Sequence, residues 1–173
     1  PVTRENRLSY IYLITRYRLS TQIEDQSRAF LQGLTELINP RWLRLFNTEE
    51  LRVLVTGADT PIDVEDLRRN TVYGGYHEKD MAVQYFWEAL SSLDQASLKA
   101  FLRFVTSSPN PPLLGFSELN PKFAIRHAGD DITRLPTAST CVNLLKLPAY
   151  NSTVQCLEKL KYAIYSGAGF DLS

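Results

Sequence analysis

The proline-rich run Ser107-Ser108-Pro109-Asn110-Pro111-Pro112 separates two kinds of pattern, and this separation constrains the fold more than any other feature. Before it, apolar residues recur at three- and four-residue spacings, the period of helices with one buried stripe. After it, short segments alternate between apolar and polar residues, as half-buried strands do. Helices followed by a few short strands predict an α+β fold.

The helical part has clear punctuation. Asn6 to Leu19 carries Tyr10, Leu13, Ile14 and Tyr17 on one side, and Ile23, Phe30, Leu31, Leu34, Leu37 and Ile38 continue the period until Pro40 ends it. Asn47 and Glu50 form a capping-box pattern that opens a short helix through Leu51, Leu54 and Val55. The run Thr56-Gly57-Ala58-Asp59-Thr60-Pro61 then stops the pattern and predicts a boundary between two units. Beyond it Asp63 caps a short helical turn, and Tyr73-Gly74-Gly75-Tyr76 reads as a tight extended connection. Met81 to Leu93 buries Val83, Phe86, Trp87 and Leu90, and Asp94 caps a helix burying Leu98, Phe101, Leu102 and Val105.

The alternating part reads as a strand at Lys122 to Arg126, a polar loop from Gly129 to Pro136, and a strand at Thr140 to Leu147. The last of these places Cys141, Asn143 and Leu145 on one face and Val142, Leu144 and Lys146 on the other. Ser152 and Gln155 cap a final helix bearing Val154, Leu157, Leu160 and Ile164, which Gly167 and Gly169 close.

Charge narrows the function classes. Lys plus Arg and Asp plus Glu both number 19, so there is no single-sign field of the kind that holds nucleic acid or an anionic membrane, although a local patch stays open. The apolar stretches fall short of the ~20 residues that span a bilayer. No signal peptide opens the chain, and two cysteines are too few for a disulfide framework, which together predict the cytoplasm or nucleus. The chain does not begin with Met, and a piece of a longer protein is expected.

His77, His127, Cys141 and Cys156 show no metal-ligand spacing, and neither a metal nor a cofactor is expected. Cys156, beside Leu157 on a helix, reads as a small buried hydrophobe. Cys141 follows a proline-flanked loop, where a thiol can be reached, so a nucleophile and an inert small side chain both stay open. His127, 14 residues upstream, raises the further alternative of a Cys-His hydrolase.

The run Leu135-Pro136, Ser139-Thr140-Cys141-Val142-Asn143, Leu147-Pro148 and Tyr150 resembles the catalytic-cysteine signature of HECT-type ubiquitin ligases. Further landmarks agree in order: Gln26, Ala29-Phe30, Gly33-Leu34, Glu50-Leu51, Leu54, Gly57, Tyr73-Gly74-Gly75-Tyr76, Phe86-Trp87, Phe104-Val105-Thr106, Gly115-Phe116 and Leu119. The resemblance covers essentially the whole chain. It implies the helical end of an amino-terminal lobe at residues 1–56, a hinge at 57–60 that turns on Gly57, and a complete carboxy-terminal lobe at 61–173 with a small β-sheet flanked by helices.

The same resemblance implies that Cys141 takes ubiquitin as a thioester from a ubiquitin-conjugating enzyme and passes it to a substrate lysine. Thr140, Asn143 and Ser139 would shape the site, Phe170 would order the transfer state, and Asp171 would orient the attacking lysine. Tyr10 would help dock the conjugating enzyme, and Leu135, Pro136 and Thr137 would meet a partner. Most family members carry His where Ser139 stands and Phe where Val142 stands, and a serine supplies no positive charge to a thiolate. With Leu144-Leu145-Lys146-Leu147, that serine makes the chain most similar to the proteasome-associated subgroup, which adds the proteasome to the expected partners. Ser139 also keeps in view a non-catalytic module that binds ubiquitin or another partner with the same fold.

Overall fold

A computed structural model describes residues 1–57 and 59–166. Eight α-helices are described: α1 Arg7–Leu19, α2 Glu24–Leu37, α3 Pro40–Leu43, α4 Thr48–Thr56, α5 Val64–Arg69, α6 Met81–Ser91, α7 Gln95–Thr106 and α8 Thr153–Ser166. Four short strands accompany them: β1 Val72–Gly74, β2 Ala124–His127, β3 Thr137–Ser139 and β4 Leu144–Leu147. The chain forms two compact units, divided between Leu51 and Arg52.

In the first unit the local signals hold. Asn47 Oδ1 accepts from the Glu50 N–H at 2.9 Å while Glu50 Oε2 accepts from the Asn47 N–H at 2.7 Å, the reciprocal capping expected for α4. α2 stops at Leu37, ahead of Pro40 as expected, and Pro40 has a second role. It opens α3 at its first position, where a missing N–H costs nothing, with Asn39 as the cap. No residue of α1 or α2 is buried, and the apolar stripe stays exposed at Tyr10, Leu13, Tyr17, Phe30 and Leu31.

The second unit holds the core. The order of its sheet is β1-β2-β4-β3, with β1, β2 and β4 parallel and β3 antiparallel to β4. The expected stripes of α6 (Val83, Phe86, Trp87, Leu90) and α7 (Leu98, Phe101, Leu102, Val105) are buried in full. They pack with Phe116, Phe123, Ile125, Leu145 and Leu147. Asp63 caps α5 through the N–H groups of Glu65 and Asp66, and Asp94 caps α7 through that of Ser97. On α8 the buried stripe is Cys156, Leu160 and Ala163, and Val154 lies off that stripe and is exposed.

Strand boundaries also depart from expectation. Thr140–Val142 is a turn of 3-10 helix and only Leu144–Leu147 is strand. Asn143 separates them in the left-handed region, at φ 50°, which breaks the alternation. Cys141 therefore does not share a face with Asn143 and Leu145: it is exposed and they are buried. β1 lies where a tight extended connection was read, and β3 falls between the expected loop, which ends at Pro136, and the expected strand, which begins at Thr140, since three-residue strands are too short to display a period.

Candidate functional site

β3 and β4 form a hairpin. Ser139 and Leu144 are its last registered pair, so residues 140–143 make a four-residue tip with Cys141 at the second position. The Asn143 N–H donates to the Thr140 carbonyl at 3.4 Å, and Asn143 reverses the chain with its positive φ. Four-residue hairpin tips commonly need a left-handed residue at this point, and asparagine tolerates it better than branched residues do.

Asn143 also ties the tip to the rest of the sheet. Its Nδ2 donates to the Pro121 carbonyl at 2.6 Å, and its own carbonyl accepts from the Ala124 N–H at 2.9 Å. Asn143 is buried, whereas Cys141 is exposed and Val142 beside it is 47% exposed. A reachable thiol thus stands on a turn anchored from below, with α7 packed behind it.

The loop that leads into β3 is braced as well. Tyr150 Oη donates to the Arg134 carbonyl at 2.7 Å and Lys159 Nζ to the Thr133 carbonyl at 2.8 Å. Burial, mainly, pushes the Tyr150 phenol far above its ordinary range, so it stays a donor. Of the three residues expected to meet a partner, Leu135 and Thr137 keep part of their surface, while Pro136 is buried. Leu135 lines a shallow cavity with Glu158, Lys159 and Tyr162.

His127 does not join Cys141. β2 and β4 run parallel, with His127 in register with Leu147 at one end of β4 and the Cys141 tip beyond Leu144 at the other. Three residues of strand are about 10 Å. His127 Nε2 lies 3.2 Å from Asp130 Oδ1, and its ring stands edge-on to Tyr76 at 4.8 Å. A Cys-His hydrolase built on these two side chains has no geometric basis.

Cys156, the other free cysteine, lies in the core, and burial pushes its thiol up to about 12. It is not available as a nucleophile near neutral pH. Tyr10 lies on α1 in the first unit, about half exposed. Gly57 has φ +82° and sits against the Pro111 carbonyl, where an added Cβ would come within 2.6 Å. Phe170 and Asp171 lie outside the described residues. Among the described residues no group of three His, Cys, Asp or Glu side chains could hold a metal ion, and no described helix is long and apolar enough to cross a membrane.

Sequence reasoning missed the Pro121 carbonyl, the Tyr150 hydroxyl and Lys159 as supports of the tip. Only Tyr150 carried a signal, because it closes the cysteine signature.

The model of the HECT domain, described as a ubiquitin-transferase, matches residues 1–173. The chain belongs to the HECT-domain family. It is 49% identical over 173 residues to a probable E3 ubiquitin protein ligase of Schizosaccharomyces pombe, covering 99% of this chain and 17% of that protein. It is 49% identical over 172 residues to the E3 ubiquitin-protein ligase HUL5 of Saccharomyces cerevisiae (99% and 19%). Against the ubiquitin-protein ligase E3B of Homo sapiens it is 42% identical over 199 residues (100% and 19%). The chain thus spans under a fifth of the length of these relatives. The exposed hairpin thiol stands in the run that resembles the family's cysteine signature.

Proposed function

We propose that this chain is the part of a ubiquitin ligase that carries ubiquitin as a thioester on Cys141. The observation that carries the reading is the Cys141 tip itself: an exposed thiol on an anchored turn, in a chain of the HECT-domain family. Ubiquitin, a ubiquitin-conjugating enzyme and protein substrates are the partners this chemistry requires. The similarity to the proteasome-associated subgroup adds the proteasome, in the cytoplasm or nucleus.

Two acyl transfers follow. The Cys141 thiolate attacks the carbonyl carbon of the thioester on the conjugating enzyme. A new sulfur–carbon bond forms, the old one breaks, and the conjugating enzyme leaves as a thiolate. A substrate lysine, as free amine, then attacks the same carbon. A carbon–nitrogen bond forms, the Cys141 sulfur leaves as thiolate, and the nitrogen loses a proton to solvent or a nearby base. Exchange between thioesters is nearly isoenergetic, so orientation is the main contribution the protein can make.

In this reading residues 1–56 belong to the amino-terminal lobe, 57–60 form the hinge and 61–173 the lobe that bears the thiol. Gly57 gives the joint a backbone conformation that other residues resist. Tyr10 belongs to the surface that meets the conjugating enzyme. Ser139 and Thr140 flank the tip and shape the approach to the thiol.

The test is trapping of the adduct. The chain, within its full HECT domain, is mixed with ubiquitin-charged conjugating enzyme and resolved without reductant. A reductant-sensitive adduct present in wild type and in Cys156→Ala but absent in Cys141→Ala is expected. An adduct that survives Cys141→Ala overturns the assignment, and a wild type that binds ubiquitin without an adduct makes the chain a binding module.

A further inference from the structure

One face of the sheet is open beside the thiol, and its side chains are neither acidic nor aromatic. Tyr73, Ile125, Ala138 and Leu145 turn toward the helices, and the strand period sends the residues between them to the other side. The registers arrange these in two rows. Val72, Ala124, Leu144 and Ser139 form the row at the Cys141 end, and Gly74, Arg126, Lys146 and Thr137 form the next. None of the eight is buried, and Val72 is 48% exposed.

The charges on this face are of one sign. Arg126 and Lys146 are registered neighbours on adjacent strands, about 5 Å apart across the ladder. Lys122 is exposed and continues the alternation of β2 toward the tip. Among the described residues no ion pair joins any of the three to a carboxylate. Like charges set side by side on a sheet oppose folding. A chain with no net charge nevertheless keeps three of them around an apolar strip, Val72, Ala124 and Leu144, that ends three residues from its thiol.

We propose that this face receives an acidic, aliphatic-bearing segment of the acceptor protein next to the lysine to be modified. The inference rests on Cys141 being the transfer site. A bare lysine approaching the tip is repelled by Lys122, Arg126 and Lys146, whereas a lysine flanked by carboxylates is attracted. The face therefore selects among acceptors by repulsion as much as by attraction. Arg126 offers a planar fork that suits a carboxylate, and Val72, Ala124 and Leu144 offer a floor for an aliphatic side chain. The lack of any aromatic ring on the face argues against stacked nucleic-acid bases.

The test uses the full chain as Cys141→Ser and a synthetic peptide of Glu and Leu residues with one Lys, followed by amide chemical shifts. Shifts centred on Val72, Arg126, Leu144 and Lys146, weakened by salt, are expected. The double variant Arg126→Glu/Lys146→Glu should bind roughly tenfold more weakly, as should a peptide with Gln for Glu, while Arg103→Glu on α7 leaves binding unchanged. Equal affinity in the double variant, or shifts centred elsewhere, overturns the proposal. So does a response to phosphatidylserine vesicles with none to the peptide. Adduct formation on Cys141 is read separately in the same double variant within its full HECT domain and should persist. Loss of peptide binding and loss of the adduct thus report on two different assignments.

Discussion

The side chain of Asn143 donates to the carbonyl of Pro121 at 2.6 Å, a contact that crosses 22 positions of sequence and fixes the turn bearing Cys141 to the approach of β2. Asn143 does two jobs there: its backbone occupies the left-handed region and its amide satisfies a carbonyl. Substitutions can separate them.

Asn143→Gly keeps the backbone conformation and loses the amide, so stability should fall by about 1–2 kcal/mol, the cost of losing a part-buried hydrogen bond. Asn143→Ala loses both, and the left-handed alanine adds roughly 1–2 kcal/mol more. Urea unfolding checks the order. Adduct formation within the HECT domain should slow in both variants, because the thiol then samples more orientations. A glycine variant as stable as wild type would remove the anchor from the account.

Thiol counting tests the two cysteines directly. Cys141 is exposed and Cys156 is fully buried, with burial holding its thiol up at about 12. A chromogenic disulfide reagent at neutral pH should therefore titrate one thiol in the native chain and two in denaturant. Cys141→Ala should leave none reactive before unfolding. Rapid reaction of both native thiols would contradict the packing around α8.

What the sequence displayed depends on whether a signal is local. The caps at Glu50, Asp63 and Asp94 and the stripes of α6 and α7 were legible because each rests on spacings of three or four residues. The signature around Cys141 was legible for the same reason. The shape of its turn was not, because apolar–polar alternation through Thr140 to Leu147 reads the same whether the chain runs straight or reverses at Asn143. Nor were the supports legible. Pro121, Tyr150 and Lys159 act across 16 to 26 positions, and no periodicity carries contacts of that separation. The exposed stripes of α1 and α2 are the converse case: periodicity names a face and is silent on what covers it.

Gly57 tests the proposed hinge. Its φ of +82° disfavours any side chain, and an added Cβ would meet the Pro111 carbonyl at 2.6 Å and Asn110 Cβ at 3.1 Å. Backbone cannot yield as a side-chain tip can. Asn110 Nδ2 also donates to the Thr56 carbonyl at 3.2 Å, so the end of α4 is held by the same loop. Gly57→Ala should cost about 1–3 kcal/mol and speed amide exchange in residues 107–112. Exchange unchanged there, with stability intact, would mean that the backbone at Gly57 adapts freely to a side chain.

Alkali should destabilise the second unit through its buried thiol and phenol. Burial raises the Cys156 thiol from 9.0 to about 12, and burial, with smaller help from Asp130 and Asp80, raises the Tyr76 phenol from 10.0 to about 12. Both are neutral in the folded protein, and the unfolded chain gives up these protons first. Stability from these groups is therefore complete below about pH 9 and is lost as pH rises through the window to about 12. Each fully shifted group adds a slope of about 1.4 kcal/mol per pH unit inside that window. Tyr76 Oη also donates to the Leu147 carbonyl at 3.0 Å, so its ionisation breaks a bond that holds β4. Melting temperature followed from pH 7 upward should stay level to about pH 9 and then fall steeply. Cys156→Ala should start lower, because it leaves a small cavity, and fall less steeply above pH 9. A variant that keeps the wild-type slope would exclude the buried thiol as a source of alkaline lability.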